Sequence, residues 1–468
     1  MCRRLAAILL LAAVAVPVAA EPTRLTLSPE AFPKQSMKYR LLPDSHDLEP
    51  GNAATLYYRT LAMFFENRNL LEDLHQDQWS KWLGGPLDDL KKNDVGGKLA
   101  QYNQFLREAA LAARCRSCDW QTSNRPEGIG LLLPDVQGYR NLANVLAVRA
   151  RYDIANNRPT EAVPTLQSGF ALAHNLGEGS FVIRIFVGAA VANMMCARVE
   201  ELVQQPDAPN LYWALAAMPR PFFDPRHAVR EEAEVFEQSF PWLKKMEEGP
   251  MAVEQVQACM FKLRHFTQDF GIRTPPNIAT ATLINAKHGD AKRYLIDRGF
   301  AEASVEAMPA TQAVTLAAFR QYRDASAEVG KWALIRNGFR TKGYKEATAK
   351  QKEAAGQLDQ LFFGGLLRGL QAGELGLEKL YAATGRVDRR LAALGCVESI
   401  RQHAAAHDGK LPKSLADLTD APAPDDPVTG KPFVYKLDGE TASLQSPAGA
   451  DDSPGAAPEV DYELTVRH

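Results

Sequence analysis

Apolar residues recur at helical spacing along most of this chain, and the clearest unit covers residues 142–177. Leu142, Val145, Leu146 and Tyr152 fall on one face until Asn156-Asn157-Arg158-Pro159 interrupts them. Val163, Leu166, Phe170 and Ala173 resume the pattern, with Thr160 as the expected N-cap and Gly177 as the expected stop. The spacing predicts a helical hairpin. Residues 180–204 differ, because Phe181, Val182, Ile183, Ile185, Phe186, Val187, Val191, Met194 and Met195 make them apolar on nearly every side. Such a helix lies in a protein core or in a membrane. Arg184 and Asn193 would be costly in lipid, so a central core helix is expected.

Prolines 206, 209, 219, 221 and 225 space the following connection and mark a domain boundary near residue 222. Helical patterning returns as far as residue 390, punctuated at Glu248-Gly249-Pro250 and Thr274-Pro275-Pro276. Short helices are expected over 290–298 and 302–308, and a longer one over 310–330. Upstream, residues 21–55 are rich in proline and turn formers. They read as an extended arm, with Leu25 and Leu27 alternating as in one short strand.

From residue 391 the pattern changes once more. A helix carrying Leu391, Leu394, Val397, Ile400 and Arg401 ends at His407-Asp408-Gly409-Lys410-Leu411-Pro412, and Leu415 and Leu418 follow at the spacing of a short helical turn. Asp426-Pro427-Val428-Thr429-Gly430 then forms a turn into a strand through Tyr435, and Asp438-Gly439 turns into a return strand over 442–445.

The N-terminus changes the picture of location. Arg3 and Arg4 precede an apolar run of 14 residues, from Leu5 to Val18, and small residues precede Glu21. This is the order of a cleavable signal peptide, with cleavage expected after Ala20. The run falls short of the roughly 20 residues a membrane helix needs. The mature protein is therefore expected in the periplasm or outside the cell, without a stable membrane span, and membrane-anchored only if the signal is retained.

The composition, 46% hydrophobic and 24% charged over 468 residues, is that of a globular protein. A net charge of −2 supplies no general attraction to nucleic acid, and none is expected as a partner. The seven basic residues within 331–352 read as a solvated helix face.

Cleavage leaves Cys115, Cys118, Cys196, Cys259 and Cys396, too few for a disulfide scaffold in a chain of this length. The spacing of Cys115 and Cys118 suits a redox dithiol, half a zinc site or a short disulfide. Export favours the disulfide. His403 and His407, four apart, share one helix face as metal ligands would, but no third ligand follows at suitable spacing. His227 with Glu231 and Glu232 offers another pair that exposed helix surface explains as well. Nucleophile elbow, phosphate loop, zincin motif and dinucleotide fingerprint are all missing, which leaves no catalytic residue to name.

Residues 392–468 resemble the C-terminal globular part of the type II secretion major pseudopilin, through the helix, the segment 408–412 and the segment 426–435. The resemblance implies a small α+β module. It also implies calcium held by the carboxylates of Asp451, Asp452 and Asp461, although a full calcium site takes six to eight oxygens. The same stretch reads equally as a polar loop before a last strand over 460–466. A pseudopilin carries a long hydrophobic helix directly before this part. Here some 370 other residues stand in its place, so assembly into a pseudopilus is not expected. The hairpin weakly resembles a tetratricopeptide repeat, with most of that repeat's aromatic positions missing. Residues 38–43, 51–59 and 208–215 resemble stretches of uncharacterised exported helical proteins of bacteria, which implies export and no activity.

The expected fold is mainly α: a helical-hairpin (TPR-like) body with a small pseudopilin-like α+β module. Its divisions are a signal peptide (1–20), an extended arm (21–55), helical domains over 56–222 and 223–390, and the module over 391–468. The expected function is that of a non-catalytic scaffold with a protein partner in the cell envelope. The alternatives are an exported hydrolase or metal-dependent enzyme, and an accessory of a secretion system.

Overall fold

The hairpin read from residues 142–177 lies at the centre of the structure. In the computed structural model, residues 21–35, 37–92, 94–121, 135–179, 181–230, 239–269, 277–335, 341–365, 367, 377–449 and 458–467 are described. The expected signal peptide lies outside them. The fold is mainly helical, with one four-stranded and one two-stranded sheet among the described residues.

The chain begins with strand β1 (Thr23–Leu27), as the alternation of Leu25 and Leu27 predicts, and both leucines are buried. Strand β2 (Glu49–Asn52) leads into helix α1 (Ala53–Glu66), whose first turn is capped by the Asn52 side chain. Four short helices follow before helix α2 (Asn103–Ala113) and strand β3 (Cys115–Ser117), which pairs in parallel with β2.

The hairpin is helix α3 (Asp135–Ala155) and helix α4 (Pro159–Gly177), packed on each other and on helix α5 (Val182–Leu202). Two local expectations differ in detail. The second helix starts at Pro159 rather than after Thr160, because proline at the first helical position lacks only an N–H that would be orphaned anyway. Gly177 does end α4, but its role is close approach: a Cβ there would stand 2.2 Å from Cδ1 of the buried Phe223.

α5 is the core helix its all-round apolarity predicts. Among the described residues it alone is long and apolar enough to cross a membrane, and most of it is buried within the protein. Arg184 is tolerated there because its Nη2 donates to Asp135 at 2.6 Å and its guanidinium lies 4.4 Å from the centre of the Trp120 ring. Gly188 lets α5 approach α4, since a Cβ would meet the Ala173 carbonyl oxygen at 2.7 Å.

The first and last described strands meet. Helix α10 (Leu377–Ala406; α6 to α9 are introduced below) packs on α5 and leads to strands β4 (Val434–Asp438), β5 (Thr441–Gln445) and β6 (Asp461–Val466). The sheet order is β1-β6-β5-β4, with β1 parallel to β6 and the other pairs antiparallel. Leu25, Leu27, Leu444 and Leu464 thus join the core that contains α3, α4, α5 and α10. The C-terminal helix also starts earlier than residue 391, because Leu377, Leu380, Ala383 and Val387 extend the same buried stripe. In the β4–β5 hairpin Asp438 pairs with Thr441, which puts Gly439 and Glu440 in the turn, one residue later than expected, with Gly439 at a φ of 60°.

Buried ion pairs fix this closure. Arg390 reaches Glu200 on α5 through Nε and Nη2, each at 2.7 Å, and the Tyr462 hydroxyl of β6 donates to the same carboxylate at 2.6 Å. Arg389 grips Asp426, whose other acceptor sites take the backbone N–H groups of Val428 and Thr429 and so shape the turn before β4. Arg401, fully buried with Glu398, donates to the Ser28 and Ala208 carbonyls and ties the N-terminal arm to α10.

Residues 240–367 build a second core around Phe240, Trp242, Phe319 and Phe363. Its long helices are α6 (Val253–Asp269), α7 (Asn277–Asp297), α8 (Ala310–Gly330) and α9 (Lys342–Leu358). α8 falls where the spacing predicts it. α7 extends well beyond the short helix expected over 290–298, since Ile284 as well as Ala291 and Leu295 is buried along it. Val329, Ala333, Tyr344 and Ala347 belong to the first core, and the Tyr381 hydroxyl donates to the Ala333 carbonyl at 2.7 Å, so the two cores adjoin.

The connection between them is held by Asp388 on α10, which accepts the Phe222 backbone N–H at 2.7 Å. Burial pushes this carboxyl up to about 6, against the hydrogen bond and Arg220, which favour the charged form. Between about pH 4 and pH 6 the folded protein therefore keeps a proton that the unfolded chain has lost, and stability falls as pH rises through that window. Asp388→Asn keeps the acceptor oxygen and removes the titration. We expect it to gain on the order of 1–3 kcal/mol at pH 7 and little at pH 4, in urea melts at the two pH values. An equal change at both would refute this account.

Candidate functional site

In the sharpest chemical pattern of the sequence, Cys115 opens β3 and Cys118 follows it, beside the N-terminus of α1. Asn52 stitches this corner: its amide donates to the Asp119 carbonyl and its oxygen accepts from the Asp119 and Ala54 N–H groups. Trp120 follows, buried among Tyr57, Tyr58 and Tyr139. Both cysteines are free thiols here. Burial pushes the Cys118 thiol up to about 12, with Arg184 pulling less strongly the other way, and burial with Glu49 raises Cys115. The thiolate is the nucleophile, so neither sulfur is poised for nucleophilic chemistry at neutral pH.

The histidines and acids are no closer to a reactive centre. His403 and His407 stack at 3.9 Å between ring centres, and His407 Nδ1 lies 2.8 Å from the His403 carbonyl oxygen. Burial and the neighbouring His407 hold His403 below its ordinary value. Of the acids that the resemblance assigns to calcium, Asp451 and Asp452 lie outside the described residues. Asp461 opens β6 and accepts from Gln445 at 3.0 Å. Glu231 and Glu232 also lie outside the described residues. No group of three or more His, Cys, Asp or Glu side chains suited to a metal occurs among the described ones.

A cleft opens in the second core. α6 and α7 are helices of 17 and 21 residues that follow one another along the chain. A cleft of about 280 Å³ opens between them. Leu263, Ile284, Leu361 and Phe362 form its buried floor, and Gln257, Arg264, Asn277 and Thr280 give it a polar rim. Arg264 donates to Asn277 across the top at 2.8 Å. Phe261, on the wall, is 63% exposed, and Ile278, beside Asn277 at the start of α7, is 83% exposed.

This groove was legible only in part. Val256, Cys259 and Leu263 repeat at the spacing of a buried stripe, whereas Phe261 lies two residues beyond Cys259, roughly 200° around the helix. A large aromatic off the buried stripe is the signal that marks it. Arg264 is the only charged side chain among the lining residues, and no base or nucleophile stands with it. The cleft's lining is mostly apolar, with polar side chains at the rim.

No protein family, no curated protein and no solved structure matches this chain.

Proposed function

We propose that this protein is an exported, non-catalytic scaffold of the cell envelope that holds a partner protein in the α6–α7 groove. The observation that carries the reading is Phe261, a large aromatic side chain that stays 63% exposed beside an apolar cleft. Exposed apolar surface around a polar-rimmed groove is typical of sites that bind other molecules. The basic head, apolar run and small residues of positions 1–20 support export. The finer reading of the fold belongs with this proposal. The α3–α4 hairpin supports a TPR-like unit, and the order of helix, turn and three strands after residue 391 supports a pseudopilin-like module.

The test is Phe261→Asp, which places a charge at the mouth of the groove without disturbing the core. We expect the wild-type protein to retain a specific partner from envelope extracts and the variant to lose at least about tenfold in affinity, near 1.4 kcal/mol. Both should melt at the same temperature. Undiminished capture by the variant, or turnover of a substrate by the purified protein, would contradict the proposal.

A further inference from the structure

The α6–α7 cleft is short. Its lining runs from Gln257 to Arg264 on α6 and from Asn277 to Ile284 on α7, about 11 Å of each helix at a rise of about 1.5 Å per residue. An extended chain covers that length with about three residues. The volume of about 280 Å³ falls at the small end of the range for ligand sites, roughly 300–1,000 Å³. Such a space seats a few side chains rather than a helix, which is about 10–12 Å across.

Arg264 gives the cleft its one charge, and no acid stands among the lining residues to neutralise it. Of the five N–H donors of a guanidinium, it uses Nη1 on the Asn277 side chain at 2.8 Å, and Asn277 is its one hydrogen-bond partner among the described residues. It forms no ion pair among them. The bond also seats Arg264 at the start of α7, where the helix dipole adds positive potential. Arg264 and Asn277 are the last and first lining residues of their helices, so their hydrogen bond crosses the cleft at one end. Leu263 and Ile284 continue the apolar floor from there.

An occupant must therefore bring an apolar group and an anion close together within about three residues. The last residue of a chain does so, because its side chain and its free carboxylate leave the same carbon. An aspartate or glutamate within a chain is less suited, since that chain would have to leave past the end that Arg264 and Asn277 cross.

We infer that the α6–α7 cleft takes the C-terminus of a partner protein, with the terminal carboxylate on Arg264 and the terminal apolar side chain on Ile284, Leu361 and Phe362. The inference rests on the scaffold reading and names the part of the partner that is held. Guanidinium and carboxylate match as fork to fork, and capture of a chain's terminal carboxylate is a recurring mode of peptide recognition.

The experiment uses the purified protein and defined probes. These are four octapeptides of glycine and serine with leucine third from the end, ending in leucine, isoleucine, phenylalanine or methionine, the same four with a C-terminal amide, and octanoate. Leucine is placed third from the end because alternate residues of an extended chain face the same side. At least one free-acid peptide should bind about tenfold or more tightly than its amide at low salt, and the ratio should shrink as salt is added. Arg264→Gln should abolish the ratio and Arg264→Lys should keep part of it, whereas Phe261→Ser should weaken acid and amide alike. Both positions are exposed, and a circular dichroism melt checks that each variant stays folded.

Equal binding of acid and amide, no binding of any of the four acids, or a ratio that Arg264→Gln leaves in place would overturn the inference. So would binding of octanoate with no peptide bound, which would assign the cleft to a free amphiphile. If Phe261→Asp abolishes capture of an envelope partner while Arg264→Gln leaves that capture intact and acid and amide bind alike, the scaffold reading stands and only the C-terminal occupant falls.

Discussion

Arg401→Ala is expected to lower folding stability by about 3–5 kcal/mol, because it strands the Glu398 carboxylate in a site that excludes water. Both side chains are wholly buried, and Glu398 also accepts the Leu211 N–H at 3.0 Å. The same substitution removes the donors that satisfy the Ser28 and Ala208 carbonyls, so the N-terminal arm loses its tie to α10. Burial holds the Glu398 carboxyl above its ordinary value even with Arg401 beside it, and removing the guanidinium leaves desolvation less opposed. Denaturant melts of Arg401→Ala and of the double variant Arg401→Met, Glu398→Leu test the cause. The double variant should recover much of the loss, since replacing both charges leaves no unpaired ion. A loss below about 1 kcal/mol in Arg401→Ala would show that the pair contributes little.

Deleting Thr23–Leu27 should be as severe. It removes Leu25 and Leu27 from the core, about 3–6 kcal/mol of apolar burial at 1.5–3 kcal/mol per leucine, and strips β6 of its parallel partner. The backbone of β6 would then be an open edge, which pairs readily with a second chain. We expect fast hydrogen exchange of the β6 amides and concentration-dependent association in sedimentation, with the residue 240–367 core still folded. Unchanged protection of β6 would mean that the sheet closes without β1. The double leucine substitution Leu25→Ala, Leu27→Ala separates the two effects. It weakens burial while leaving the backbone ladder in place.

The candidate groove shows where sequence reading stops. The buried stripe of Val256, Cys259 and Leu263 identifies α6 as a helix with one apolar face. Nothing in that spacing says that a cleft opens between α6 and α7. Its lining includes Thr311 of α8 and Leu361 and Phe362, residues some 50–100 positions away. The paired cysteines present the converse case. Their spacing allows several chemistries, and only the tertiary surroundings reveal that burial raises both thiols above their ordinary value.

Local patterns along the chain were enough to determine the helical hairpin, the buried character of residues 182–202, the position of the helix over 310–330 and the turns around Gly409, Asp426 and Gly439. Each depends on interactions within a few residues: helical periodicity, proline at a helix start, glycine at a positive φ. Tertiary structure alone decided that β1 pairs with β6 and that α10 lies on α5. It also decided that Glu200, Arg390 and Tyr462 share one buried site and that a cleft opens between α6 and α7. Those arrangements join residues up to about 440 positions apart, and their partners are chosen by shape, charge and the exclusion of water. No local spacing along a chain carries that information.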